Sequence, residues 1–258
     1  MPEGEMTFSF GGLGSYEAFR DELIKRAENP DYLKLEAEAQ GFAQGDRPTV
    51  GFGYDLPAKK DPKDPEKFRK ILQDFDAAGI ALSTQQQVAI LYWGGWSKER
   101  LREYVSNLGD NPYLAQDLDF IDRLGADDRT NAGLKAQLGA LRVTRDQANA
   151  LYAISVREAE DEVDRRLSAL PREVQEKFKQ GSDQRAVLVD LAYQGPKLLG
   201  HVLLHALEAG DLAGAAFEIA FLSDRTPRET PGTDARNLAR VQTFLYRQAP
   251  LRIGYVLS

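Results

Sequence analysis

The sequence predicts an α+β fold that is predominantly helical and carries one small β-hairpin sheet towards its N-terminal end. Three observations predict it. From Ser15 onward the chain is cut by capping residues, glycines and prolines into segments whose apolar residues recur at helical spacing. One stretch alone, residues 49–55 (TVGFGYD), alternates, with Val50, Phe52 and Tyr54 opposed to Thr49, Gly51, Gly53 and Asp55. The 258 residues, 42% apolar and 28% charged, suffice for one large domain or two lobes with a real core, and no solenoid period recurs.

Taken in order, residues 1–14 are glycine-rich and aperiodic, which reads as a flexible tail or linker. Ser15 caps a helix whose apolar face is Phe19, Leu23, Ile24 and Ala27, and Pro30 opposes its continuation. Glu28 therefore stands at a helix C-terminus. The partial negative charge there favours the protonated form of an added carboxylate, which a general acid needs; the plain alternative is a solvated surface acid. Asp31 then caps a short helix expected to reach Gln40, with Glu36 and Glu38 as reserve acids on its exposed side.

Gly41, Gly45 and Pro48 break the chain before the alternating stretch. A straight strand rises about 3.3 Å per residue, so Thr49 and Asp55 would stand about 20 Å apart and could not serve one bond. Glycine permits a turn, so a bend at Gly51 or Gly53 is expected to bring their Cα atoms within about 10 Å.

Residues 56–65 (LPAKKDPKDP) form a charged, proline-rich loop, and Asp64 with Pro65 opens a helix ending at Gly79. Ser83 caps TQQQVAILYW, and Ser97, after Gly94 and Gly95, caps a helix carrying Leu101, Tyr104, Val105 and Leu108 up to Gly109. Helical patterns follow at 112–124 and 131–141. Thr144 and Gln147 fit a capping box that opens the longest element, with Ala148, Tyr152, Val156, Ala159, Val163 and Leu167 before Pro171. About 25 residues at 1.5 Å each span nearly 40 Å, enough to join two lobes. Three more helices are predicted at QRAVLVDLAYQG, KLLGHVLLHALEAG and DLAGAAFEIAFL, then a loop at 223–234 and a last helix, ARNLARVQTFLYRQ, stopped by Pro250.

Composition narrows the chemistry. Without cysteine there is no disulfide framework, thiolate metal site or cysteine nucleophile. With 33 basic and 40 acidic residues, the net charge of -7 argues against broad attraction to nucleic acid or anionic lipid. The N-terminus has acids where a Sec signal needs a basic segment, and no window approaches the roughly 20 apolar residues of a membrane span. His201 and His205 share a helix face, yet Val202 stands where a zinc-protease motif needs glutamate and no third ligand is signalled, so no metal is expected. The glycine segments fit no dinucleotide or phosphate-loop fingerprint, and no cofactor is expected. Tyr92, Trp93 and Trp96 could stack on sugars or bases; filling a core is the commoner use of such residues.

An acid ending the first helix, followed by Thr49, Val50, Gly51, Phe52 and Gly53 and continued by Tyr54, Asp55 and Leu56, resembles the phage-type lysozymes and the pesticin-like muramidases. The later segments RDQANALY, RAVLVDLAYQG, EAGDLAGAAFEIAFLSDRTP and ARNLARVQTF look like the connecting, buried and C-terminal helices of that family, so the resemblance covers 15–60 and 143–248. It implies a two-lobed lysozyme-like fold. Residues 15–143 would form an N-terminal lobe with the hairpin and a helical insertion at about 56–142, and 144–258 the connecting helix and a helical C-terminal lobe.

The resemblance also implies roles. Glu28 would be the general acid, Asp55 the second carboxylate and Thr49 the group holding the attacking water; Tyr54, Tyr193 and Gln194 would meet substrate, with Arg240 a basic residue nearby. Two departures stand out: Asn29 replaces the glycine common after the acid, and Asp46, three residues before Thr49, is the alternative second carboxylate. The implied reaction is hydrolysis of the β-1,4 bond between N-acetylmuramic acid and N-acetylglucosamine. Inversion requires carboxyl groups about 6.5 to 9.5 Å apart, against about 5 to 5.5 Å for retention. The implied partners are peptidoglycan glycan strands and an immunity or inhibitor protein. The implied place of action is the periplasm or wall of a target bacterium, reached by host lysis or a dedicated secretion route. A lytic transglycosylase, or a non-catalytic wall-binding or interaction module on the same fold, are the competing expectations.

Overall fold

The computed structural model describes residues 15–28, 38–40, 48–56, 67–139, 141–178, 181–222 and 231–245. They are predominantly helical, with two antiparallel two-stranded sheets. The chain divides into two compact units, one of residues 1–30 with 156–258 and the other of 31–155. The first helix falls in the same unit as the C-terminal helices.

In chain order, helix α1 is Tyr16–Glu28, strands β1, β2 and β3 are Glu38–Gln40, Thr49–Val50 and Tyr54–Asp55, and helices α2 to α5 are Lys67–Ala77, Thr84–Trp93, Lys98–Ser106 and Leu114–Arg123. A 3-10 turn at Ala126–Arg129, helix α6 at Asn131–Gln137 and strand β4 at Arg142–Thr144 lead into α7, Arg145–Leu167. Then come α8 (Arg172–Lys177), α9 (Asp183–Gln194), a 3-10 turn (Pro196–Leu198), α10 (His201–Ala209), α11 (Leu212–Phe217) running into a π turn (Glu218–Leu222), and α12 (Pro231–Leu245).

Most local signals are realised as expected. Ser83 and Gln86 form a reciprocal capping box at α3, and Thr144 and Gln147 do the same at α7. The Ser97 hydroxyl accepts from the Arg100 amide at the start of α4. The helix expected to reach Gln40 does not: Glu38–Gln40 is strand, paired with Thr144, Val143 and Arg142 of β4. Val143 is fully buried, and pairing with this β-branched strand far along the chain prevails over the local apolar spacing. The start of that expected helix lies outside the described residues, as do Asp46 and Pro250.

In the 31–155 unit, Phe68, Ile71 and Phe75 of α2 are buried together with the apolar residues of α3, and Phe68 meets Trp93 edge-on. Tyr92, Trp93 and Trp96 are all core residues, as the packing reading expected. Trp96, 1% exposed, carries the Arg100 guanidinium 3.9 Å over its ring.

In the other unit, α9 is buried from Arg185 to Ala192, the pattern of a central helix. It packs against α1, which buries Tyr16, Phe19 and Ile24, and against α12. The buried Arg185 binds Glu160 and Asp164 of α7, and Glu160 also accepts from Tyr16 and Arg20 of α1. Among the described residues, no helix is long and apolar enough to cross a membrane.

Candidate functional site

The 31–155 unit supplies a hairpin. Thr49 pairs with Asp55 and Val50 with Tyr54 in antiparallel register, and Gly51, Phe52 and Gly53 make the turn. Gly51 at φ 60° and Gly53 at φ 83° occupy the left-handed region that side chains disfavour. Directly opposed residues in such a ladder have Cα atoms roughly 4.5 to 5.5 Å apart, inside the limit expected from sequence. The predicted alternation survives the bend. Val50, Phe52, Tyr54 and Leu56 are buried, while Thr49 and Asp55 are half-buried side by side.

The buried side anchors the turn. Phe52 packs edge-on against Tyr152 of α7 at 6.3 Å. A Cβ on Gly51 would lie 2.9 Å from the Ala148 Cβ, so this glycine also permits the close approach of turn and helix. Tyr54, expected to meet substrate, is instead 0% exposed. Its hydroxyl donates to Asp74 Oδ2 at 2.6 Å, and Lys70 binds the same carboxylate. Strand alternation turns Tyr54 inward and puts Asp55 on the other face, half-buried with its Oδ1 shielded from solvent, so the tyrosine secures the hairpin from beneath.

The unit of 1–30 and 156–258 supplies the candidate acid. Glu28 is the last residue of α1, and its side chain is 22% exposed. Arg236 of α12 donates from Nη1 to Glu28 Oε1 at 2.7 Å. The same guanidinium donates from Nη2 to Asp190 Oδ1 at 2.5 Å and from Nε to Asp190 Oδ2 at 3.3 Å. Arg240, one turn further along α12, donates from Nε to Asp190 Oδ2 at 2.6 Å and from Nη1 to Asn237. Arg240 was expected as a basic residue near the site; the residue that touches Glu28 is Arg236, and Arg240 is linked to it through Asp190 and Arg236.

Burial disfavours charge on Asp190, but Arg236 and Arg240 outweigh it and hold its pKa below the ordinary aspartate value. For Arg236 the balance is the same: burial pulls its pKa down, while Asp190 and Glu28 together raise it above that of free arginine. Burial, helped by Glu28, pushes the Tyr193 phenol well up, which keeps it a hydrogen-bonding hydroxyl at neutral pH. Tyr193 is half-buried and Gln194 exposed, both at the end of α9.

Arg236 and Asp190 escaped the sequence reading although each left a signal. Arg236 and Arg240 stand four apart, on one helix face, and Asp190 is a lone charge within the apolar run AVLVDLA, where burial demands a partner. His201 and His205 are exposed on α10, and among the described residues no three His, Cys, Asp or Glu side chains gather as a metal site would require. The side chains of Glu36 and Glu38 lie outside the described residues. No protein-family model, no curated protein and no solved structure matches the chain.

Proposed function

We propose that this protein is a muramidase of lysozyme-like, two-lobed fold that hydrolyses the β-1,4 bond between N-acetylmuramic acid and N-acetylglucosamine in peptidoglycan. The observation that carries the reading is the pairing of Thr49 with Asp55 across a glycine-made turn. A hydroxyl and a carboxylate on opposed strand positions can hold one water between them, which is what an inverting hydrolase asks of its base side. Glu28 supplies the second carboxyl group. With Arg236 on Oε1, Oε2 is the oxygen that carries the proton to the leaving group.

Tyr193 and Gln194 contact the glycan in this reading, while Tyr54 and Arg240 support the two carboxylates from the core. The chemistry calls on no metal or cofactor. A chain of net charge -7 gains nothing from long-range attraction to an anionic wall, so local contacts carry substrate binding. Action in a target bacterium's wall or periplasm, with an immunity protein guarding the producer, fits such an enzyme.

Mass spectrometry of muropeptides released from purified sacculi tests the proposal. Wild type should release reducing-end fragments, and Glu28→Gln should keep its helical circular dichroism while losing at least 1000-fold in rate, on the order of removing an essential general acid. Early proton NMR of the product should show the inverted anomer. Anhydro-muramyl ends would assign a transglycosylase instead, and binding to sacculi without release would assign a non-catalytic module.

A further inference from the structure

Asp190 and Arg240 touch no reacting group in the proposed mechanism, yet they are 0% and 1% exposed, the most deeply buried charges among the described residues of the 1–30 and 156–258 unit. They continue a chain of alternating sign that begins at the candidate acid. Glu28, Arg236, Asp190 and Arg240 are joined by contacts of 2.7, 2.5 and 2.6 Å, and with two carboxylates and two guanidiniums the chain sums to zero. Arg236 turns one nitrogen to Glu28 and two to Asp190.

We infer that Asp190 and Arg240 are positioning residues that set the protonation of Glu28 through Arg236, and that they act with opposite sign. The inference rests on Glu28 being the general acid. A guanidinium committed wholly to Glu28 would hold it as the carboxylate, which has no proton to give. Asp190 shares that guanidinium and offsets its field. Arg240, held by the carboxylate and backbone oxygen of Asp190, offsets Asp190 in turn. The three groups facing Glu28 sum to one positive charge; removing Asp190 leaves two uncompensated cations, and removing Arg240 leaves a neutral pair.

Other titratable or charged groups on the elements packed there are Tyr193 on α9, which interacts with Glu28, and, on α1 itself, Asp21 with Lys25 and Arg26 in the last turn. Neither substitution alters these side chains; Asp190 does act on the Tyr193 phenol, but burial, the larger cause of its raised pKa, remains in both variants. A merely stabilising ion cluster makes a different prediction. Truncating either partner would then lower stability and rate in the same direction without moving any titration.

The test is a carbon-13 NMR titration of the Glu28 carboxyl, assigned by its loss in Glu28→Gln, in wild type, Asp190→Asn and Arg240→Gln, alongside the pH dependence of muropeptide release. The titration midpoint should fall by about one pH unit in Asp190→Asn and rise by about one unit in Arg240→Gln, with the high-pH limb of the rate profile following it. Midpoints that stay put, or that move the same way in both variants, overturn the inference. Should Asp190→Asn fail to fold, Arg240→Gln decides alone by the sign of its shift. Opposite NMR shifts in a wild-type protein that releases no muropeptides would uphold the charge linkage and sink the muramidase reading; release with unmoved midpoints would do the reverse.

Discussion

Gly51 shows how one residue carries two separable demands. Its φ of 60° penalises any side chain, and a Cβ there would also press on Ala148 at 2.9 Å. Gly79, in the same unit, has a comparable φ of 69° and open space around its missing Cβ. Gly79→Ala should therefore cost only the backbone penalty, about 1 kcal/mol, and Gly51→Ala that penalty plus overpacking, about 3 kcal/mol in all. Urea denaturation of the two variants measures the difference, and equal losses would mean that α7 yields freely to the turn. On the muramidase proposal, Gly51→Ala should also lower muropeptide release by a larger factor than Gly79→Ala, because the turn holds Thr49 opposite Asp55.

Two capping boxes of the same type are built into different surroundings. At α3 the Gln86 side chain, among the described residues, serves its own cap, accepting from the Ser83 amide at 2.9 Å. At α7 the Gln147 side chain accepts from the Thr144 amide at 2.9 Å and also donates to the Gly79 carbonyl at 2.7 Å, tying the start of the long helix to the end of the α2 segment. Gln147→Ala should thus cost about 2 kcal/mol against about 1 kcal/mol for Gln86→Ala, and thermal melts giving the same loss for both would deny the second bond any weight. Caps of this kind were legible because donor and acceptor lie three residues apart in the chain. The hairpin was legible because only glycine explains how Thr49 and Asp55 could meet. What stayed hidden was set by partners distant in sequence: β1 is a strand because of Val143, Glu28 is held by a residue of the last helix, and α1 belongs with α9. The unit boundary at 155/156 was equally silent, since it falls inside a helix whose periodicity never breaks.

Two ion clusters should make the unit of 1–30 and 156–258 sensitive to acid. Glu160 gathers Tyr16, Arg20 and Arg185 from α1 and α9, and Asp190 gathers Arg236 and Arg240 from α12, so ionised carboxylates tie four helices. Burial opposes the charge on both acids, but the arginines prevail and both pKa values lie below those of free side chains. A depressed folded-state value stabilises the fold above the unfolded-state value, about 4, and that stabilisation is lost as pH falls through the folded-state values. Protection of α9 amides against hydrogen exchange should therefore hold steady down to about pH 4 and fall steeply below it. Both tryptophans, Trp93 and Trp96, lie in the 31–155 unit, so their fluorescence follows the other half separately. In Glu160→Gln the α9 protection should start lower at neutral pH and decline less on acidification, because that proton no longer has a paired carboxylate to disrupt. An unchanged acid slope in that variant would mean that the arginine cluster around Glu160 contributes no linked protonation, and that the loss comes from Asp190 alone.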